Sequence, residues 1–272
     1  MSGTGNTKHC VERFLNLLEN TDLTEGKLMD KERESIENID DIMILIEDSQ
    51  RAVSMINEHD EILLAYPTQF SNVPYMVRDF INKNSKIWAG KKVLCMTTMG
   101  AFSGDGAGCS ARILKKYGAH ILGGIHLRMP DAVCDNKMLK KPLEENKEIV
   151  KKTDERIENI VIHIKKTGEY PKDGLSIIAH MAGLFGQRLW FYNKTTDYSK
   201  KLKISDACVG CGLCTKNCPM HNLSIRDGKV VSNNKCAMCY KCISTCPKMA
   251  ITLLGSKVYE QVGYEKYAPD SM

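Results

Sequence analysis

Eight of the twelve cysteines fall in two short runs near the C-terminus. Cys208, Cys211, Cys214 and Cys218 are followed by Pro219, and Cys236, Cys239, Cys242 and Cys246 by Pro247, so C-x2-C-x2-C-x3-C-P is written twice, 28 residues apart. Three thiolates two residues apart on a tight loop reach three irons of one [4Fe–4S] cubane. Gly210 and Gly212 suit a backbone wrapped closely around sulfide, with amides aimed at the cluster. Each proline fixes φ where the chain turns away. Structural zinc prefers two separated ligand pairs, which this is not. A disulfide framework needs an oxidising compartment, and the opening MSGTGNTKHC does not read as a secretory signal, so the expected compartment is cytoplasmic. The chemistry such residues support is the movement of single electrons.

Over about residues 200–255 the chain resembles the two-cluster bacterial ferredoxins. The resemblance implies that the fourth cysteine of each run serves the other cluster. Cluster one would take Cys208, Cys211, Cys214 and Cys246; cluster two would take Cys236, Cys239, Cys242 and Cys218. Asp227-Gly228, between Leu223–Ile225 and Val230–Val231, is a short hairpin signal that joins the two halves.

The 272 residues suffice for two domains. The net charge of +5 is uneven: from Ser199 onward there are eleven Lys/Arg against five Asp/Glu. Two oxidised cubanes with their thiolates, each about −2, offset most of that excess. The lysines therefore read as counter-charge and as a docking face for acidic redox proteins, and nucleic acid is not expected. No apolar run is long enough to span a membrane, so no membrane insertion is expected.

Upstream of the cysteines the pattern alternates between apolar strands and amphipathic helices, which implies a doubly wound parallel sheet. Glu61–Ala65, Lys92–Thr97 and His120–Leu127 read as strands, and Ile42–Glu47 is the candidate for another. Helices are expected over 6–19, 48–58, 107–117 and 142–167, and at Val73, Met76, Val77, Phe80 and Ile81. The 142–167 helix carries Ile149, Val150, Ile157, Ile160, Val161 and Ile164 on one face, normally turned to the sheet. Ligands of such sheets sit beyond the C-terminal strand ends. Three loops belong there: Ser2-Gly3-Thr4-Gly5-Asn6-Thr7, ahead of the first helix; Pro67-Thr68-Gln69-Phe70-Ser71-Asn72; and Thr98-Met99-Gly100-Ala101-Phe102 with Gly104. Hydroxyls, glycine amides and a helix N-terminus in the first loop suit a phosphate.

On these loops residues 1–165 resemble flavodoxin, and the whole chain resembles the flavodoxin–ferredoxin fusion proteins of anaerobic bacteria. The resemblance implies FMN, its phosphate held by residues 2–7 and its ring between 67–72 and 98–104, with Phe70 or Phe102 as stacking candidates. A phosphate loop should follow a buried strand, so the first strand is missing and a few apolar residues are expected upstream of Met1. The expected architecture is a flavodoxin-like α/β domain over 1–170, a linker over 171–199, an α+β dicluster domain over 200–255, and a tail over 256–272. In the linker, Leu184-Phe185-Gly186 and Leu189-Trp190-Phe191-Tyr192 are expected to pack against or between the domains.

Cys10, Cys95, Cys109 and Cys134 lack ligand spacing and read as small buried hydrophobes. The expected function is an iron–sulfur flavoprotein passing electrons between FMN and two [4Fe–4S] clusters and onward to redox partners, donor and acceptor open. Two alternatives stand beside it: an FMN-dependent reductase of a small molecule, and a ferredoxin-type carrier whose flavodoxin half only docks partners. No catalytic residue and no oligomeric state can be read.

Overall fold

The computed structural model describes residues 3–20, 43–191 and 194–268. Strands β1 (Glu61–Pro67), β2 (Lys92–Met99) and β3 (His120–Arg128) form a parallel sheet in the order β1-β2-β3. Their apolar runs lie between two helical layers, and the period of two along each strand sorts the side chains. Leu94 and Met96 of β2 face one core with Val11 and Phe14 of α1 (Asn6–Asn20) and Val150, Ile157 and Val161 of α5 (Leu143–Thr167). Val93 and Cys95 face the other, with Ala52 and Ile56 of α2 (Ser49–Glu58), Val77 and Phe80 of α3 (Tyr75–Lys83) and Leu114 of α4 (Gly106–Lys116). The stripe of α5 packs on this sheet as its spacing predicts, and the helix stops at Gly168, in the left-handed conformation (φ 72°) that glycine adopts without penalty.

One expected strand does not form. Among the described residues, 43–45 have no regular structure and 46–47 make a turn, while Ile42 lies outside them. Met43 packs into one core, and Ile44 and Ile46 into the other. The unbroken apolar run thus half-buries this segment, with Leu45 exposed, without supplying a ladder partner. β1 pairs only with β2 among the described residues. Beside it, a cavity of about 430 Å³ is lined by residues of 43–46, α1, α2 and β1.

Downstream, α6 (Ile177–Gly183), a π-turn (Leu184–Arg188) and a further helical turn (Leu189–Phe191) lie within the expected linker. After α7 (Lys194–Ser199) comes a small unit made of β4 (Lys203–Ile204), α8 (Leu213–Asn217), β5 (Leu223–Arg226), β6 (Lys229–Ser232), α9 (Lys241–Thr245) and β7 (Ile251–Thr252). β5 and β6 form the expected hairpin, with Asp227 and Gly228 both at positive φ as a type I′ turn requires. β4 and β7 pair antiparallel, closing the unit end to end.

The parts are pinned together through side chains. Asp135, buried after β3, accepts the amides of Leu253 (2.6 Å), Leu254 (2.9 Å) and Gly255 (3.1 Å) and the hydroxyl of Tyr240 (3.0 Å). Residues beyond 256 return to the α/β half: Tyr264 stacks on His9 at 3.9 Å, and its amide donates to the Thr4 carbonyl at 2.8 Å.

Candidate iron–sulfur centre and the loops around it

The 28-residue repeat is a structural repeat. α8 and α9 start and stop 28 residues apart, each led by a left-handed residue, Gly212 (φ 75°) and Tyr240 (φ 61°). Gly210 (φ 66°) corresponds to Met238 (φ 54°), and His221 (φ 47°) to Met249 (φ 46°). The first loop therefore uses glycine where the second holds bulky residues in a conformation that side chains resist. Tyr240 is held by its hydrogen bond to Asp135, and both Met238 and Tyr240 are buried.

These turns aim backbone amides at sulfur. The Asn222 amide donates to Cys218 Sγ (3.3 Å), and the Ala250 amide, one repeat later, to Cys246 Sγ (3.4 Å); the Met238 amide donates to Cys236 Sγ (3.3 Å). Such donors stabilise thiolate and, in a cluster, sulfur charge. The thiols gather in two sets. Burial raises the Cys214 pKa, and the neighbouring charges that add to it are those of Cys246, Cys208 and Cys211. Burial likewise raises Cys242, with Cys239, Cys236, Cys218 and then Cys214 as charged neighbours. Cys239 is pushed up to about 12, first by burial and then by neighbours that include Cys236 and Cys218. Buried thiols crowded in this way hold protons until a metal displaces them. Among the described residues no three His, Cys, Asp or Glu side chains are spaced for one metal ion. A cubane puts its four thiolates on four different irons, so its ligands stand wider apart.

Residues 200–247 match the family model described as a 4Fe-4S dicluster domain. The dicluster domain makes this part of the chain ferredoxin-like, a carrier of 4Fe–4S clusters and thus of iron–sulfur electron transfer. The chain matches no curated protein. Among the described residues no helix is long and apolar enough to cross a membrane.

The dicluster domain lies against the first two of the three loops expected to hold FMN, through Gly3 and Gln69. Ser2 falls outside the described residues. A Cβ on Gly3 would stand 1.8 Å from the Cys239 carbonyl oxygen, and one on Gly5 3.1 Å from Tyr264 Cβ. Asn6 Nδ2 donates to the Pro130 carbonyl (2.8 Å), and the Thr7 and Thr98 hydroxyls bond each other (2.8 Å). Pro67 ends β1, and the Thr68 hydroxyl donates to the Thr98 carbonyl (3.3 Å). Gln69 Nε2 donates to the Ala237 carbonyl (2.8 Å), Ser71 Oγ to Gln187 Oε1 (2.8 Å), and the Asn72 side chain accepts the Val73 amide (2.9 Å). Phe70 stacks on Phe191 at 4.5 Å. On the third loop, Met99 is half-buried at the end of β2 and Ala101 is exposed. The Cβ positions of Gly100 and Gly104 meet Asp131 (2.6 Å) and the Gly183 backbone (2.4 Å), and Phe102 is exposed. The close approaches that these glycines permit are thus made by protein. The cavity beside Gln69 and Phe70 measures about 30 Å³, far below the roughly 300 Å³ of a small ligand site. As packed, these residues do not fit a flavin. The 430 Å³ cavity lies elsewhere and, of the three loops, is lined only by Thr7.

A cluster that the sequence did not reveal lies behind the third loop. Asp105, fully buried, accepts from Arg188 Nη2 (2.6 Å) and Arg112 Nη2 (2.5 Å) and lies 2.8 Å from His180 Nδ1. Arg188 Nη1 also donates to Cys109 Sγ (2.8 Å). Its members are 83 residues apart at the extremes and follow no motif. Burial raises Cys95, Cys109 and Cys134 to about 11 and Cys10 higher still. All four stay protonated and unreactive near neutrality, consistent with packing roles.

Proposed function

We propose that the chain is an iron–sulfur electron carrier whose α/β half holds its own dicluster domain in a fixed orientation. Cluster one is bound by Cys208, Cys211, Cys214 and Cys246, and cluster two by Cys236, Cys239, Cys242 and Cys218. What supports this reading is the doubled cysteine run, matched by the 4Fe-4S dicluster model over 200–247, together with the nearness of the last cysteine of each run to thiols of the other, Cys246 to Cys214 and Cys218 to Cys242. Cluster one is the entry point, since Cys211, Val209 and Leu213 beside it are exposed. Cluster two is enclosed, with Cys236 and Cys242 buried and Gln69 and Gly3 against its loop. Lys216, on α8 within the first run, and Lys248, on the turn after the second, are exposed and suit an acidic redox partner.

The test is anaerobic reconstitution with iron and sulfide counted and the reduced clusters read by EPR. The intact chain should hold about eight irons. Cys246→Ala and Cys208→Ala should erase the same cluster signal although they lie in different runs. Matching losses for Cys246→Ala and Cys236→Ala would instead place each cluster within one run.

A second reading, an iron–sulfur flavoprotein, is favoured by one observation: the buried oxygens Asn6 Oδ1 and Gln69 Oε1 have no partner at this edge. It requires the Gly3–Cys239 and Phe70–Phe191 contacts to open. Flavin released from protein purified without oxygen decides it: a 1:1 ratio supports this reading, and none removes it.

A further inference from the structure

The helical run from Ile177 to Phe191 is built inside out. Its inner side is polar: His180 and Arg188 meet Asp105, and Gln187 accepts from Ser71. Its outer side carries no charge at all. One outward row is Ile177, Met181, Phe185 and Leu189, a ridge of large side chains. The adjacent row is Ile178, Ala182, Gly186 and Trp190, large at both ends and low in the middle, where the Phe102 ring walls one side of Gly186 (a Cβ there would stand 3.3 Å from it). Ile177 and Ile178 are 82% and 83% exposed, Phe185 57% and Trp190 72%. An α-helix drifts by about 40° every four residues. The π-turn over Leu184–Arg188 absorbs that drift, so both rows stay aligned for the full run.

We propose that this face pairs with the same face of a second copy of the chain, forming a twofold dimer. Ridge and groove lie side by side on one helix. A twofold axis therefore sets the 177–181–185–189 ridge of each copy into the Ala182–Gly186 groove of the other, a self-complementary contact. Small residues four apart let two helix backbones approach closely. With no charge on the face, the symmetry brings no like charges together. Met181 and Phe185 at its centre and Trp190 at one end are of the types enriched in interface cores. Phe185 and Trp190 alone expose on the order of 250 Å² of the ~800 Å² per partner in a standard interface, and the isoleucines and the neighbouring Phe102 extend it. The buried Asp105–Arg188 pair holds the helix in place, so little ordering cost remains on association.

The experiment is sedimentation velocity on the full-length, cluster-loaded protein, without oxygen, across a dilution series. A dimer that dissociates on dilution is expected. Phe185→Lys, which breaks the ridge, and Ala182→Trp, which fills the groove, should each give monomer with unchanged iron content. Hydrogen exchange provides a second measurement: amides of 177–190 should lose protection as the wild-type protein is diluted. A monomer at every concentration overturns the proposal, and so does a dimer indifferent to both substitutions. Monomeric protein that cosediments with phosphatidylcholine–phosphatidylglycerol vesicles through this face also overturns it, in favour of a lipid surface.

Discussion

Asp105 shows how much one buried carboxylate can organise. It has two guanidinium partners and a histidine, and it ties the loop after β2 to the helical run at 177–191. Removing one partner of a buried pair leaves an uncompensated charge, at a cost of about 3–5 kcal/mol. Asp105→Ala should therefore lower stability by that amount in urea unfolding followed by tryptophan fluorescence, while replacing the exposed Asp79, paired with Lys83 on α3, should change it by less than about 1 kcal/mol. His126 makes a pH-dependent contribution. The Ala107 amide donates to its Nε2 (3.2 Å), so Nδ1 carries the proton and meets Ser103 Oγ (2.9 Å). Burial lowers its pKa below 6.5, with Arg156 acting in the same direction. The unfolded chain then binds the proton more readily, so the stabilisation is full above pH 6.5 and is lost as pH falls through 6.5 toward the depressed folded value. His126→Gln should flatten the stability–pH curve in that window. The cysteine spacing was legible at this scale. The Asp105 cluster was not, because its members meet only through tertiary contact.

At the scale of elements, strands and helices were readable where an apolar period had a surface to pack against. β1, β2 and β3 extend the expected strands by one or two residues, and α5 buries the expected isoleucines. Residues 43–46 are an unbroken apolar run that packs into the two cores without joining the ladder of β1. The 177–191 helix went unread because its polar residues lie on the inner side, reversing the amphipathic pattern that marks a helix. Phe185 and Trp190, expected to pack against or between the domains, are exposed, whereas Phe191 of that group stacks on Phe70. The junction between the halves depends on close backbone approach. A Cβ on Gly255 would lie 1.7 Å from the Asp135 carbonyl oxygen. Gly255→Ala should force the two apart, seen as faster proteolysis between 253 and 262 and faster exchange of the Leu253 and Leu254 amides that Asp135 holds.

For the whole molecule, the dicluster domain has short strands, and the ligand thiols Cys214, Cys236 and Cys242 sit within its core beside Leu223, Ile243 and Ile251. With ligand thiols in the core itself, metal binding contributes to its folding energy. Stripping iron with a chelator after oxidation should abolish exchange protection over 200–255 and leave it over β1, β2 and β3. Protection retained in both regions would show that the small unit folds without its clusters. The lysine excess of the C-terminal part should make electron exchange with acidic partner proteins slow as ionic strength rises.

Cluster chemistry was determined by local sequence, because the ligand spacing within each run and the turns that present it span only a few residues. Alternating strands and helices were legible for the same reason: their periods are local. The cover over the Gly3–Thr7 loop came from contacts across more than a hundred residues, and the outward apolar face at 177–190 from the side a helix turns to its neighbours. Such choices are settled by which surfaces remain after the sheet has formed, and a linear pattern carries no record of them.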